Sequence, residues 1–200
     1  MTSQLSKGIK HLFLSQIFAL FSTGACIAAE TLHMQQNGAV LSVPATAAVI
    51  LCILTGIIAS ILELTGLFLC GKEDSRFHIL LAGSIACTAL QIFWDRVIFG
   101  VSVGTLLTIM QLFLDICALS LIVDVLRQNG SLLLADQGSR LRKVYCFTSI
   151  LLLAALNLPL HTSLGISAAI LTGGLLILMG AFYIVAYLKF LSASAHALCH

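Results

Sequence analysis

Apolar runs long enough to cross a membrane follow one another along almost the whole chain, and this pattern excludes a soluble globular fold. Of the 200 residues, 60% are hydrophobic and only 9% are charged, against about 25% charged residues in a typical soluble domain. No polar stretch is long enough to form a separate module. We therefore expect a single integral membrane domain over residues 1–200, an all-α polytopic transmembrane helix bundle surrounded by the lipid bilayer.

A transmembrane helix needs about 20 mostly apolar residues, and this length predicts six spans. They cover approximately residues 11–29, 46–70, 78–94, 100–126, 144–160 and 164–191. The third span is the shortest, so five spans with one re-entrant segment are an alternative. The first span, preceded by Lys7 and Lys10, also fits a cleaved signal peptide, although its apolar region is long for one.

The basic residues predict the orientation of the spans, because cytoplasmic loops are enriched in Lys and Arg. Of the 10 Lys and Arg residues, only Arg96 lies outside the segments that six spans with cytoplasmic N- and C-termini place inside. Residues 127–143 are predicted to be a solvated connector, with a short helix on the anionic inner leaflet as the alternative. Trp94, Tyr145 and Tyr187 lie near span ends and are predicted to be interfacial anchors.

Small and polar residues recur at helical spacing within the predicted spans. Glu63 shares one face of the second span with several small residues, and Gln111 and Asp115 share one face of the fourth span. Small residues let helix backbones approach closely, as in the GxxxG motif. The glycines predicted to pack helices are Gly56, Gly66, Gly100, Gly104, Gly173 and Gly174.

Two carboxylates, Glu63 and Asp115, lie deep in predicted spans, where an unpaired charge costs about 2.5 kcal/mol or more. Counted from the basic residues at the inner ends, their depths differ by only about 5 Å. No Lys, Arg or His occupies the middle of a span, so we expect at least one of the two carboxyls to be neutral near pH 7. Together with Gln111 and Gln91 they form the predicted ion- or substrate-binding site, and hydrogen bonding between helices is the alternative role.

The motifs of several enzyme classes are absent from the sequence. There is no HExxH zinc helix, no GxSxG nucleophile turn and no phosphate-binding Gly-rich loop. The seven cysteines show no metal-ligand spacing, and the basic residues form no patch for nucleic acid. We therefore expect no enzyme activity, no cofactor, no metal site and no nucleic-acid partner.

The opening KGIKHLFLSQIFAL and the run ELTGLFLCGKEDSRFHILLAGSIA resemble uncharacterised small multi-pass membrane proteins of bacteria, in which a short charged hairpin joins two apolar helices. The resemblance covers about the first half of the chain. It implies a helical fold and a location in the plasma (cytoplasmic) membrane of a bacterium, and it carries no functional residue.

Two functions fit these observations. The shared depth of Asp115 and Glu63 favours a small proton- or cation-coupled transporter or channel-like protein. The short loops and the motif formed by Gly100 and Gly104 favour a non-catalytic interaction, accessory or immunity subunit. Such a subunit would contact a membrane-protein partner or a second copy of the chain through its small-residue stripes.

Overall fold

The computed structural model describes residues 4–34, 43–93, 97–98, 101–156 and 163–199, with side chains for 4–32, 43–93, 103–151 and 178–199. Its helices are α1 (Gln4–Met34), α2 (Val43–Gly71), α3 (Arg76–Leu90), α4 (Val103–Gln128), α5 (Leu132–Leu156) and α6 (Ser163–Ala197). A single 3₁₀ turn, Gln91–Phe93, follows α3. Two short strands, β1 (Val97–Ile98) and β2 (Val101–Ser102), pair in antiparallel register before α4.

The helices form an up-and-down bundle in which each packs against the next in sequence, and α6 returns to pack against α1. Contacts join the end of one helix to the start of its neighbour, as where Gly71 of α2 lies against His78 of α3. The first and last helices meet where the Ser6 hydroxyl donates to the carbonyl of Ala195 at 2.7 Å. The two described ends of the chain therefore lie at the same end of the bundle.

That end of the bundle, hereafter the basic end, carries most of the Lys and Arg residues and also holds the largest buried apolar cluster. Side chains from all six helices contribute to it, including Ile9, Cys70, Phe77, Leu119, Ile122, Leu126, Ala135, Phe190 and Leu191. Elsewhere, large apolar residues point outward, and in α2 Ile57 is 53% exposed. Outward aliphatic side chains are compatible with a bilayer, because lipid tails are as apolar as they are.

Within the described residues, five helices are long and apolar enough to cross a membrane, which indicates a membrane protein. They are α1, α2, α3 with its 3₁₀ turn, α4, and α6 over Leu178–Ala197. The remaining helix, α5, carries Asp136, Arg140, Arg142 and Lys143 in its first half. Among these five candidates, α3 with its turn is the shortest, at 18 residues, as the sequence predicted. The predicted fifth span, residues 144–160, extends beyond the described side chains, so the count of six spans stays a prediction.

Two predicted boundaries are wrong. The fourth span was expected to start at Gly100, but residues 101–102 pair as a strand and α4 begins at Val103. Residues 127–143 form neither a long connector nor a separate surface helix, because α4 continues to Gln128 and α5 begins at Leu132. A tight turn with Gly130 at φ 77° reverses the chain, and the following Leu, Ala, Gln, Arg and Lys residues are good helix formers.

Arg76, at the start of α3, forms ion pairs with Asp74 of the preceding turn and with Asp124 of α4. Asp74 accepts hydrogen bonds from the backbone N–H of Arg76 at 3.0 Å and from its guanidinium Nη2 at 2.7 Å. The same guanidinium lies 3.6 Å from Asp124 at the end of α4. Hydrogen bonding to the Arg76 guanidinium lowers the pKa of Asp74 below its usual value.

The folded-state pKa of Asp74 lies below the unfolded value of about 3.9. The contribution of ionised Asp74 to the stability of the folded protein is therefore complete above about pH 4. It is lost as the pH falls through the lowered pKa. We expect Asp74→Asn to weaken the acid-induced fall in melting temperature and to lower stability at pH 7 by less than about 1 kcal/mol. Thermal unfolding in detergent across this pH range tests this, with Asp136→Asn as a control. Identical acid profiles for wild type and Asp74→Asn would contradict it.

Candidate functional site

Glu63 reaches from α2 towards α3, where it accepts a hydrogen bond from Ser84. The Ser84 hydroxyl donates to Oε1 of Glu63 at 3.1 Å. The antiparallel packing of α2 and α3 brings these residues together, since the turn at residues 72–75 is short and both helices run without a break. Glu63 is therefore linked to a neighbouring helix through its carboxylate.

Gln111 of α4 connects the two carboxyl groups predicted from the sequence. Its side chain lies close enough to interact with both Glu63 and Asp115. Asp115 follows Gln111 by one helical turn on the same face of α4. The three residues predicted to form the centre of the site are thus brought together.

On its other side, Asp115 is bound by α5. The Tyr145 hydroxyl donates to Oδ2 of Asp115 at 2.8 Å. The Tyr145 ring stacks on that of Tyr183 with 5.0 Å between centroids, and Tyr183 stacks on Tyr187 at 5.5 Å. A continuous line of polar contacts therefore runs from Ser84 through both carboxyl groups to three tyrosines on α5 and α6.

Cavities adjoin this line on both sides. The larger one, of about 320 Å³, lies between α2, α3 and α4, and its walls are Ser60, Glu63, Leu64, Ser84, Cys87, Thr88, Gln91, Leu107, Thr108, Gln111 and Leu112. A space of about 30 Å³ touches both Glu63 and Asp115. A third, of about 60 Å³, adjoins Asp115, Gln16 and the tyrosines. Glu63 thus faces the larger cavity and the smallest one, whereas Asp115 faces the two smaller ones.

The walls of these three cavities contain carboxyl groups but, among the described side chains, no Lys, Arg or His. In the same part of the chain, no three His, Cys, Asp or Glu residues are grouped as metal ligands. An ionised carboxylate is an acceptor only, so such walls attract protons, cations and hydrogen-bond donors. Gln91, the fourth predicted site residue, lines the larger cavity from the 3₁₀ turn after α3.

The glycines predicted to pack helices lie in different surroundings. A Cβ atom on Gly66 would lie 2.9 Å from the carbonyl oxygen of Gly8, so α1 and α2 approach closely there, and one on Gly56 would lie 3.2 Å from the Ser22 hydroxyl. Gly104 is buried within the bundle, and its contact with a partner helix stays a prediction. Gly100 and the surroundings of Gly173 and Gly174 lie outside what the structure describes.

Sequence reasoning missed several residues of the site. Tyr145 and Tyr187 were predicted to be interfacial anchors, but both lie inside the bundle beside Asp115. Trp94, the third predicted anchor, lies outside the described residues. The i, i+4 spacing of Tyr183 and Tyr187 was the available signal for a shared face. Gly8 was missed because the first span was expected to begin at residue 11, whereas α1 begins at Gln4.

The bundle and its interior carboxyl groups define an all-helical membrane protein with a polar site between its helices. No protein-family model, curated protein or solved structure matches this chain.

Proposed function

We propose that this protein is a small proton- or cation-coupled transporter or channel-like protein whose interior site consists of Glu63, Gln111, Asp115 and Gln91. The observation that carries the proposal is the line of polar contacts from Ser84 through Glu63, Gln111 and Asp115 to Tyr145, with hydrogen bonds at both ends. It joins four helices and borders a cavity large enough for a solute.

The chemistry of the line supports reversible binding of a positive charge. Holding helices together does not require carboxyl groups, because neutral Ser, Thr or Asn side chains can make the same links. A carboxyl group in a membrane interior is costly and usually marks an ion or proton pathway. Glu63 and Asp115 share one bridging residue, so a proton or cation taken up by one carboxyl changes the hydrogen bonding of the other.

The distribution of basic residues supports a plasma-membrane protein with both termini in the cytoplasm. Lys7, Lys72, Arg76 and Arg127 all lie at the basic end, and cytoplasmic segments are enriched in such residues. The larger cavity extends from Glu63 away from this end, since Ser60, Gln91 and Thr108 lie farther along their helices from it. In this orientation the cavity faces the exterior half of the membrane.

Proton uptake into liposomes containing the purified protein tests the proposal. With an inside-negative potassium diffusion potential and an internal pH dye, wild type is expected to acidify the lumen. We expect Glu63→Gln to reduce the rate by about tenfold or more. Glutamine can still accept the Ser84 hydrogen bond but cannot carry charge or exchange a proton.

Glu73→Gln is the matched control, because Glu73 lies on the exposed turn between α2 and α3. It is expected to keep the wild-type rate. A Glu63→Gln protein that is folded and takes up protons as fast as wild type would contradict the proposal.

A further inference from the structure

We infer that the larger cavity binds a small organic ammonium ion that carries an apolar substituent. This inference rests on the proposed function, since it names the class of solute for the same site. It is carried by the hydrogen bonding of the cavity walls, by their charge and by the size of the cavity.

The hydroxyl groups on the cavity wall have already used their hydrogens. Thr88 donates to the carbonyl of Ser84 at 2.9 Å, Thr108 to that of Gly104 at 2.9 Å, and Ser60 to that of Gly56 at 3.1 Å. A hydroxyl has one hydrogen and two lone pairs. These three side chains therefore offer the cavity acceptors and no donor.

The part of the wall around Glu63 also offers mainly hydrogen-bond acceptors. The Ser84 hydroxyl donates its hydrogen to Glu63, and Gln111 lies close to both carboxyl groups. An amide N–H of Gln111 that donates to an ionised carboxylate leaves the carbonyl oxygen of Gln111 as an acceptor. The region around Glu63 thus suits a ligand that is positively charged and has several N–H donors.

Size and apolarity distinguish an organic ion from an inorganic one. The cavity holds about 320 Å³, within the range of about 300–1,000 Å³ for small-molecule sites, whereas one water needs only about 10–15 Å³ of such space. Leu64, Leu107 and Leu112 form the apolar part of the wall. A bare alkali ion leaves this part uncovered, but an alkyl group on the ammonium nitrogen covers it.

Gln91 places a further limit on the ligand. It lies seven residues after Ser84 in a helical segment, or about 10 Å along α3, and its amide can donate as well as accept. The end of the ligand remote from the ammonium group therefore lies near a residue that can bind a polar acceptor. Because the described wall residues include no Lys, Arg or His, a carboxylate group on the ligand would have no charged partner.

Thermal stabilisation of the full-length protein in nanodiscs tests the inference, with n-butylammonium as the probe. We expect n-butylammonium chloride to raise the melting temperature in a saturable way, and sodium chloride and sodium butyrate at equal ionic strength to have no such effect. Affinity for n-butylammonium is expected to exceed that for methylammonium by about tenfold or more, because three further methylene groups are buried.

Two variants assign the site. Glu63→Gln is expected to abolish stabilisation by n-butylammonium, while Glu73→Gln keeps it. Leu112→Asn is expected to remove most of the preference for n-butylammonium over methylammonium while retaining methylammonium binding, and this variant keeps both carboxyl groups in place.

Stabilisation by sodium or potassium equal to that by n-butylammonium, and lost in Glu63→Gln, would overturn the inference in favour of an inorganic cation. Absence of any effect of n-butylammonium on a folded protein would also overturn it. Either result leaves the proton-uptake experiment intact, because that experiment needs no organic solute and decides the proposed function by itself.

Discussion

Liposomes containing the Asp115→Asn protein are expected to show proton uptake reduced by about tenfold or more relative to wild type. Asparagine still accepts the hydrogen bond that Tyr145 donates at 2.8 Å, so the packing between α4 and α5 is retained. What is lost is the ability to carry charge and to exchange a proton. The effect is expected to match that of Glu63→Gln, because the two carboxyl groups border one small space and Gln111 lies close to both.

Asp136→Asn is the control for this variant. Asp136 is an aspartate of α5 that is 67% exposed and paired with Arg140 at 3.5 Å, so its replacement tests general effects of removing an acidic group. Infrared difference spectroscopy provides a second measurement. A carboxyl band that changes with pH or with cation in wild type should be absent from Asp115→Asn or from Glu63→Gln. Wild-type uptake by folded Asp115→Asn would exclude Asp115 from the pathway.

Replacing Gly8 with alanine is expected to destabilise the protein by about 1–3 kcal/mol. A Cβ atom at Gly8 would lie 2.5 Å from Sγ of Cys70 and 2.7 Å from the carbonyl oxygen of Gly66. The oxygen belongs to the backbone of α2, so a rotamer change cannot relieve the overlap and the two helices must separate. Thermal unfolding in detergent measures the loss as a lower melting temperature.

Gly24→Ala is the matched control, since Gly24 lies in the same helix and a Cβ atom there would have no neighbour within 4 Å. It is expected to leave stability unchanged or to raise it by up to about 1 kcal/mol, because alanine favours the helix over glycine. Equal melting temperatures for Gly8→Ala and Gly24→Ala would show that α1 and α2 do not cross closely at Gly8.

The centre of the site could be predicted because it depends on helical spacing and depth. Glu63 and Asp115 were expected at similar depth from their distances to the nearest basic residues, and Gln111 precedes Asp115 by one turn whatever the rest of the fold does. Which residue of α3 or α5 meets them depends on tertiary packing. Ser84 and Tyr145 therefore could not be assigned as partners from the sequence.

The errors at helix boundaries have a related cause. Hydropathy reports where a helix is compatible with lipid and does not report where the helix begins, so α1 and α5 both start well before their apolar segments. That displacement concealed Gly8 at a helix crossing. It also made Tyr145 look like a residue at the start of a span, when it lies in the middle of α5.

The buried cluster at the basic end bears on how a solute would leave the bundle. Beyond Asp115, the interior towards that end is filled by Leu119, Ile122 and Leu126, each 1% exposed or less, and by buried side chains of the neighbouring helices. A charged solute cannot pass through close-packed hydrocarbon without a large loss of solvation energy. In the proposed transporter or channel-like protein, passage of a charged solute therefore requires the helices to part at the basic end.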